Sequence, residues 1–93
     1  MMYVKNVNGS GRYSSPKGYN SWLDYWKAKT GINPSFCSEK NCFNTDLVGA
    51  HVQKAYEFDN SWYIVPLCNS CNQKSSSEVF EVNETLVPVP SNL

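Results

Sequence analysis

Two short cysteine pairs, Cys37-x4-Cys42 and Cys68-x2-Cys71, separated by 25 residues, constrain this chain more than any other feature. A tetrahedral zinc ion takes four thiolates at about 2.3 Å, and a tight turn of two to four residues brings both sulfurs of a pair to one side of the metal. The spacing therefore predicts a Zn2+ site built from Cys37, Cys42, Cys68 and Cys71. Two other chemistries use the same residues. An even cysteine count suits a disulfide framework in a small secreted domain, and Cys68-Asn69-Ser70-Cys71 has the spacing of a redox pair. No βαβ pattern surrounds that pair, which weighs against redox chemistry. The segment from Met1 to Asn8 lacks the apolar core of a signal peptide, and no run approaches a membrane span, so a reducing cytoplasm and no membrane partner are expected. A chain of 93 residues buries a limited core. A metal that ties its loops together then supplies much of its folding free energy.

The formal net charge is zero, but the charges are unevenly placed. Residues 1–54 hold seven Lys and Arg against three Asp and Glu, whereas residues 55–93 hold one against five. A basic front half can face phosphates while the acidic end turns away. A solvated surface with unevenly distributed charges is the structural alternative.

Residues 1–20 are rich in turn formers, as in Asn8-Gly9-Ser10-Gly11, and read as an N-terminal arm. Residues 21–93 read as one zinc-stabilised domain. Asn20-Ser21 offers an N-cap, Trp22, Tyr25, Trp26 and Lys29 recur at helical spacing, and Gly31 supplies a stop, which predicts an amphipathic helix over 21–30. Two tryptophans and a tyrosine on one face of a short helix are core residues before they are a stacking platform. A polar knuckle from Cys37 to Cys42 precedes a first strand at 46–52, in which Gly49 marks a bulge or a close backbone approach. Trp62 to Leu67 is the second strand, with Pro66 ending its ladder. Residues 69–76 are expected to form a short helix whose first amides face the thiolates, and 79–82 and 86–89 are edge segments.

Knuckle, hairpin with a histidine in its first strand, cysteine pair and helix, over about residues 37–76, resemble the treble-clef, ββα-metal module of the HNH nuclease family in its four-cysteine branch. The residues carrying the resemblance are Cys37, Cys42, Gly49-Ala50-His51-Val52 and Tyr63-Ile64-Val65-Pro66-Leu67-Cys68-Asn69-Ser70-Cys71-Asn72. The fold implied is a small α+β zinc-bound domain with an HNH-like core and an N-terminal amphipathic helix. The resemblance also implies a general base at His51, a base-orienting group near Tyr63 with Asn60 as the nearby substitute, and a metal ligand at Asn72. A second divalent ion, Mg2+, Mn2+ or Ni2+, would act on the scissile phosphate if the protein is a nuclease. The family's other metal ligand falls on Ala50, whose methyl group coordinates nothing. Asp46, Glu57 and Asp59 are the carboxylates near enough in sequence to substitute.

Two functions follow from that pattern. One is a binding module in which His51, Lys54, Tyr63, Asn72 and Lys74 hold DNA, RNA, a nucleotide-like anion or a protein partner. The other is a small metal-dependent endonuclease using His51, Asn72 and Tyr63. A phage- or mobile-element-encoded inhibitor or structural protein is a third reading, by analogy. The missing ligand at Ala50 places binding ahead of catalysis. For His51 the structural alternatives are a buried strand histidine or a zinc ligand.

Overall fold

A computed structural model describes residues 2–7 and 15–90. The elements are β1 (Met2–Asn6), α1 (Trp22–Thr30), β2 (Leu47–Lys54), β3 (Tyr63–Cys68), α2 (Asn69–Asn72), β4 (Phe80–Val82) and β5 (Val87–Pro88). The five strands form one antiparallel sheet in the order β4-β1-β2-β3-β5. The protein is thus a small α+β domain. Among the described residues no helix is long and apolar enough to cross a membrane.

α1 forms where its caps place it. The Ser21 hydroxyl accepts the Asp24 amide at 3.0 Å, and Gly31, at φ 72, donates its own amide to the Lys27 carbonyl at 2.8 Å. Each terminus thereby satisfies a backbone group that the helix leaves open. Trp22, Tyr25 and Trp26 are buried against Ile64 of β3 and Val87 of β5, and the Trp26 indole donates to the Thr85 carbonyl at 2.8 Å.

Residues 2–6 are not an arm. They form β1, between β2 and β4, with Met2, Val4 and Asn6 on the face shared with Val52 and Val82. The alternation spans five residues and its last inward position is a polar asparagine, so local pattern does not reveal it. Asn6 is buried because its amide donates to the carbonyls of Cys71 at 2.9 Å and Lys74 at 3.1 Å. The expected loop at Asn8-Gly9-Ser10-Gly11 lies outside the described residues.

Two other local expectations change. β3 runs through Pro66 to Cys68, since the missing N–H points away from β2 and beyond the reach of β5, while the Pro66 carbonyl accepts the Ser38 amide at 3.0 Å. α2 ends at Asn72 rather than 76. The serine run that follows turns its hydroxyls onto the backbone, with the Ser77 amide donating to Ser75 Oγ at 3.2 Å, a local bond that competes with helix.

The sheet separates two apolar clusters. One gathers Val4, Ala50, Val52, Val65, Leu67, Phe80 and Val82 with Cys37, Cys68 and Cys71; the other lies under α1. Gly49 sets the distance of α1 from the sheet. It pairs with Pro66 in regular register, without a bulge, and a Cβ there would come within 2.5 Å of the Trp22 carbonyl carbon and nearer still to the Leu23 nitrogen. Helix backbone therefore rests directly on strand backbone. Trp26→Ala empties the centre of this layer and is expected to cost about 3–5 kcal/mol in urea unfolding at neutral pH; a loss below about 1 kcal/mol would contradict the packing described.

Candidate metal centre

The knuckle is held in place by backbone bonds on three sides. Cys37 donates to Asn44 O at 2.8 Å and Cys42 to Glu39 O at 3.0 Å, while Asn41 takes a left-handed turn at φ 67. Outward, Ser38 donates to Pro66 O of β3 at 3.0 Å, Lys40 donates to Glu81 O of β4 at 2.9 Å, and Asn83 donates back to Ser38 O at 2.9 Å. The loop therefore bridges β3 and β4 over the face that carries Ala50 and Val52. Cys68 ends β3 and is also the N-cap of α2, its sulfur accepting the Cys71 amide at 3.4 Å.

All four sulfurs lie within 4.8 Å of one another, with Cys42–Cys68 and Cys42–Cys71 at 3.9 Å. Tetrahedral thiolates at about 2.3 Å from a common ion stand about 3.8 Å apart. A disulfide needs about 2.05 Å, and the four cysteines are free thiols. The cluster is able to hold a metal ion. Among the described residues it is the one group of three or more His, Cys, Asp or Glu side chains that converges in this way.

Burial pushes the Cys37 and Cys71 thiols up, and the Glu39 carboxylate beside Cys71 adds to the effect. Cys68 moves the other way. Burial opposes its ionisation, but the Asn44 amide at 3.4 Å, the Cys71 amide and the neighbouring thiols outweigh it and bring Cys68 down to about 7. Of Cys37, Cys68 and Cys71, Cys68 is the thiol that ionises most readily. Glu39 Oε2 makes no directional hydrogen bond; its charge is met by Lys74 Nζ at 2.6 Å, which also pairs with Glu78 at 3.3 Å and lies 5.0 Å from the centre of the Phe80 ring. A thiolate-bound metal is an anionic centre, so a carboxylate beside it is tolerable only with that ammonium in place. Sequence reading missed Asn6, Glu39 and Asn44 here. Only Glu39, a charge between two ligand cysteines, carried a signal.

The residues expected to form a ligand pocket occupy three separate places. His51 is buried on the α1 face of β2, edge-on to Trp22 at 4.9 Å and to Trp62 at 5.9 Å between ring centres. Burial lowers its pKa to about 4. Ala50, next along the strand, points into the opposite cluster. Lys54 and Tyr63 share that opposite face with Val52 at the far end of the hairpin, where the Tyr63 hydroxyl donates to Asp59 and Lys54 pairs with Glu57 at 3.7 Å and Asp59 at 3.8 Å. The Tyr63 bond, chiefly, holds the Asp59 carboxyl down to about 2. Lys54 and Tyr63 line a cavity of about 390 Å³ with Met2, Leu86 and residues 83–85. Asn72 and Lys74 lie at the thiol end, where the Asn6 amide donates to the carbonyls of Cys71 and Lys74. Asn60 offers its carbonyl to Gln53 at 2.9 Å, and Asp46 caps Asn69 at 3.0 Å. Neither is engaged with His51 in these bonds.

The buried imidazole gives a signed pH dependence. The unfolded chain takes a proton at His51 near pH 6.5, whereas the folded protein takes it only near 4. The unfolded state therefore binds more protons between these values. The contribution is fully present above 6.5 and is lost as pH falls toward 4. Wild type should lose about 2 kcal/mol more than His51→Gln between about pH 7.5 and pH 5, measured by urea unfolding; parallel losses would show that burial does not control this histidine.

No protein-family model matches the chain, and no curated protein or solved structure matches it either.

Proposed function

We propose that this protein is a zinc-stabilised, HNH-like treble-clef module that binds nucleic acid or a nucleotide-like phosphate ligand without catalysing its hydrolysis. The observation that carries this reading is the donor set: four thiols within 4.8 Å of one another offer a metal ion a full tetrahedron of sulfur. Four thiol donors in that arrangement favour zinc, and a zinc site with no position left for water or substrate is structural rather than catalytic. The knuckle, the β2–β3 hairpin and the second cysteine pair follow one another in treble-clef order, although α2, at four residues, is shorter than the helix the resemblance implies.

The placement of His51 and Ala50 supports binding over hydrolysis. A general base works best with a pKa near the working pH and within reach of water. His51 is buried between two indoles and holds a proton only near pH 4. Ala50 offers no ligand for a second ion, and its side chain faces the other side of the sheet.

The distribution of compensated charge supports a ligand-facing side on the basic front half. Lys40, Lys54 and Lys74 are each paired with acidic side chains. Among the described residues, Lys5, Lys17, Lys27 and Lys29 carry no ion pair, and all four belong to the basic front half. Those lysines, rather than Lys54 and Lys74, are the cations available to phosphate.

Three outcomes are expected. Protein purified under reducing conditions contains about one zinc per chain, and a strong chelator or Cys68→Ser unfolds it; two disulfides and no metal in native mass spectrometry would overturn the site. Fluorescence anisotropy with a labelled oligonucleotide shows binding that weakens with salt, and Lys17→Ala with Lys27→Ala reduces the slope of log affinity against log salt by about two if each meets a phosphate. Plasmid and RNA remain intact with Mg2+, Mn2+ or Ni2+. Cleavage by wild type that disappears in His51→Ala would put the nuclease reading first.

A further inference from the structure

We propose that the slot between α1 and the outer edge of β5 is a docking site for an extended peptide carrying a carboxylate beside apolar side chains. Of the lysines proposed to face phosphate this site includes Lys29 alone, and the sheet edge and apolar walls that define it do not depend on that reading. Among the described residues β5 is the last strand of the sheet and pairs only with β3. The Val89 amide donates to Trp62 O at 2.9 Å, so by antiparallel alternation the polar groups of Leu86 and the Pro88 carbonyl point away from β3. A further strand would take up those groups.

The space such a strand would occupy is open. A cavity of about 540 Å³ lies there, walled by Tyr25 and Ile32 on one side and by Leu86, Val87 and Pro88 on the other. That volume is in the range of pockets that seat a few residues or a small ligand. Ile32 is more than one-third exposed. Among the described residues the lining is apolar apart from two threonines and Lys29, the one charged residue in it, whose ammonium lies 5.4 Å from the centre of the Tyr25 ring and enters no ion pair. One uncompensated cation over an apolar floor complements a carboxylate flanked by hydrophobic side chains.

The same geometry argues against a second copy of this chain as the occupant. Pro88 has no N–H to offer, so two β5 edges pairing with each other would each lack a donor, the usual means by which an edge strand resists self-association. An incoming peptide supplies its own donors to the Leu86 and Pro88 carbonyls. Main-chain bonds would give it affinity, and alternate side chains entering the cavity would give it specificity.

The test is an amide-resolved NMR titration of the intact, metal-loaded protein with an acetylated, amidated pentapeptide alternating valine and glutamate. Two comparison peptides replace glutamate by lysine or carry N-methyl groups on alternate amides. Shifts are expected at Lys29, Ile32, Leu86 and Val87. N-methylation should weaken binding about ten-fold by removing main-chain bonds. Lys29→Glu should weaken the glutamate peptide about three-fold and strengthen the lysine peptide, the size of one exposed ion pair. Lys29 is exposed, and retention of the wild-type spectrum elsewhere verifies that the variant is folded. Absence of shifts at millimolar peptide, equal binding of the N-methylated peptide, or shifts at β5 that depend on protein concentration without peptide would each overturn the proposal.

Discussion

Sulfur atoms from two distant parts of the chain, held within 4.8 Å of one another, join elements that no continuous helix or strand connects. Cys37 and Cys42 bring the knuckle; Cys68 and Cys71 bring the end of β3 and α2. Around that junction the knuckle bonds to β3 through Ser38 and to β4 through Lys40, and Asn6 ties β1 to the turn carrying Cys71. The apolar clusters on the two faces of the sheet share no residue, and each is small. Net stability of a domain is about 5–15 kcal/mol, and a structural zinc site contributes apparent free energies of about 10–16 kcal/mol. At those magnitudes a metal held by the four sulfurs would decide whether the sheet persists. Cys37 and Cys71, whose thiols burial keeps protonated, are released from that constraint once an ion binds them as thiolates.

His51 shows how a residue type suited to catalysis can instead serve packing. A strand alternates its side chains, so residues 50 and 51 face opposite sides, and residues 51 and 54 do as well. Ala50 completes the cluster beside the thiols, while His51 fills the space beneath the first turn of α1, which Gly49 allows to lie on the strand. The cost of that position is a neutral imidazole. Lys54 and Tyr63 on the other face are engaged with Asp59, and Lys54 also with Glu57; among the described residues the lysines without an ion pair lie on the basic front half.

Much of this architecture was legible in the residues. Capping residues bounded α1, apolar β-branched runs located β2 and β3, and the cysteine spacing identified the metal cluster, because each of these signals is local. What could not be read depends on partners far along the chain. β1 is held by strands about 48 and 78 residues away, and Asn6 is buried only because carbonyls of Cys71 and Lys74 meet it. The shortened α2 reflects a competition between serine hydroxyls and helical bonds that propensity alone does not resolve. The dispersal of His51, Lys54 and Lys74 was partly readable, since strand alternation already separates 51 from 54; the ion pairs that neutralise Lys54 and Lys74 were not.

The central claim, that four sulfurs and nothing else hold the ion on which the fold depends, is most directly tested by zinc K-edge X-ray absorption on the purified protein. Four sulfur scatterers at about 2.3 Å, with no nitrogen or oxygen at bonding distance, are expected. A first shell containing imidazole or carboxylate, or a zinc ion with an open water position, would contradict it and return the centre to catalysis.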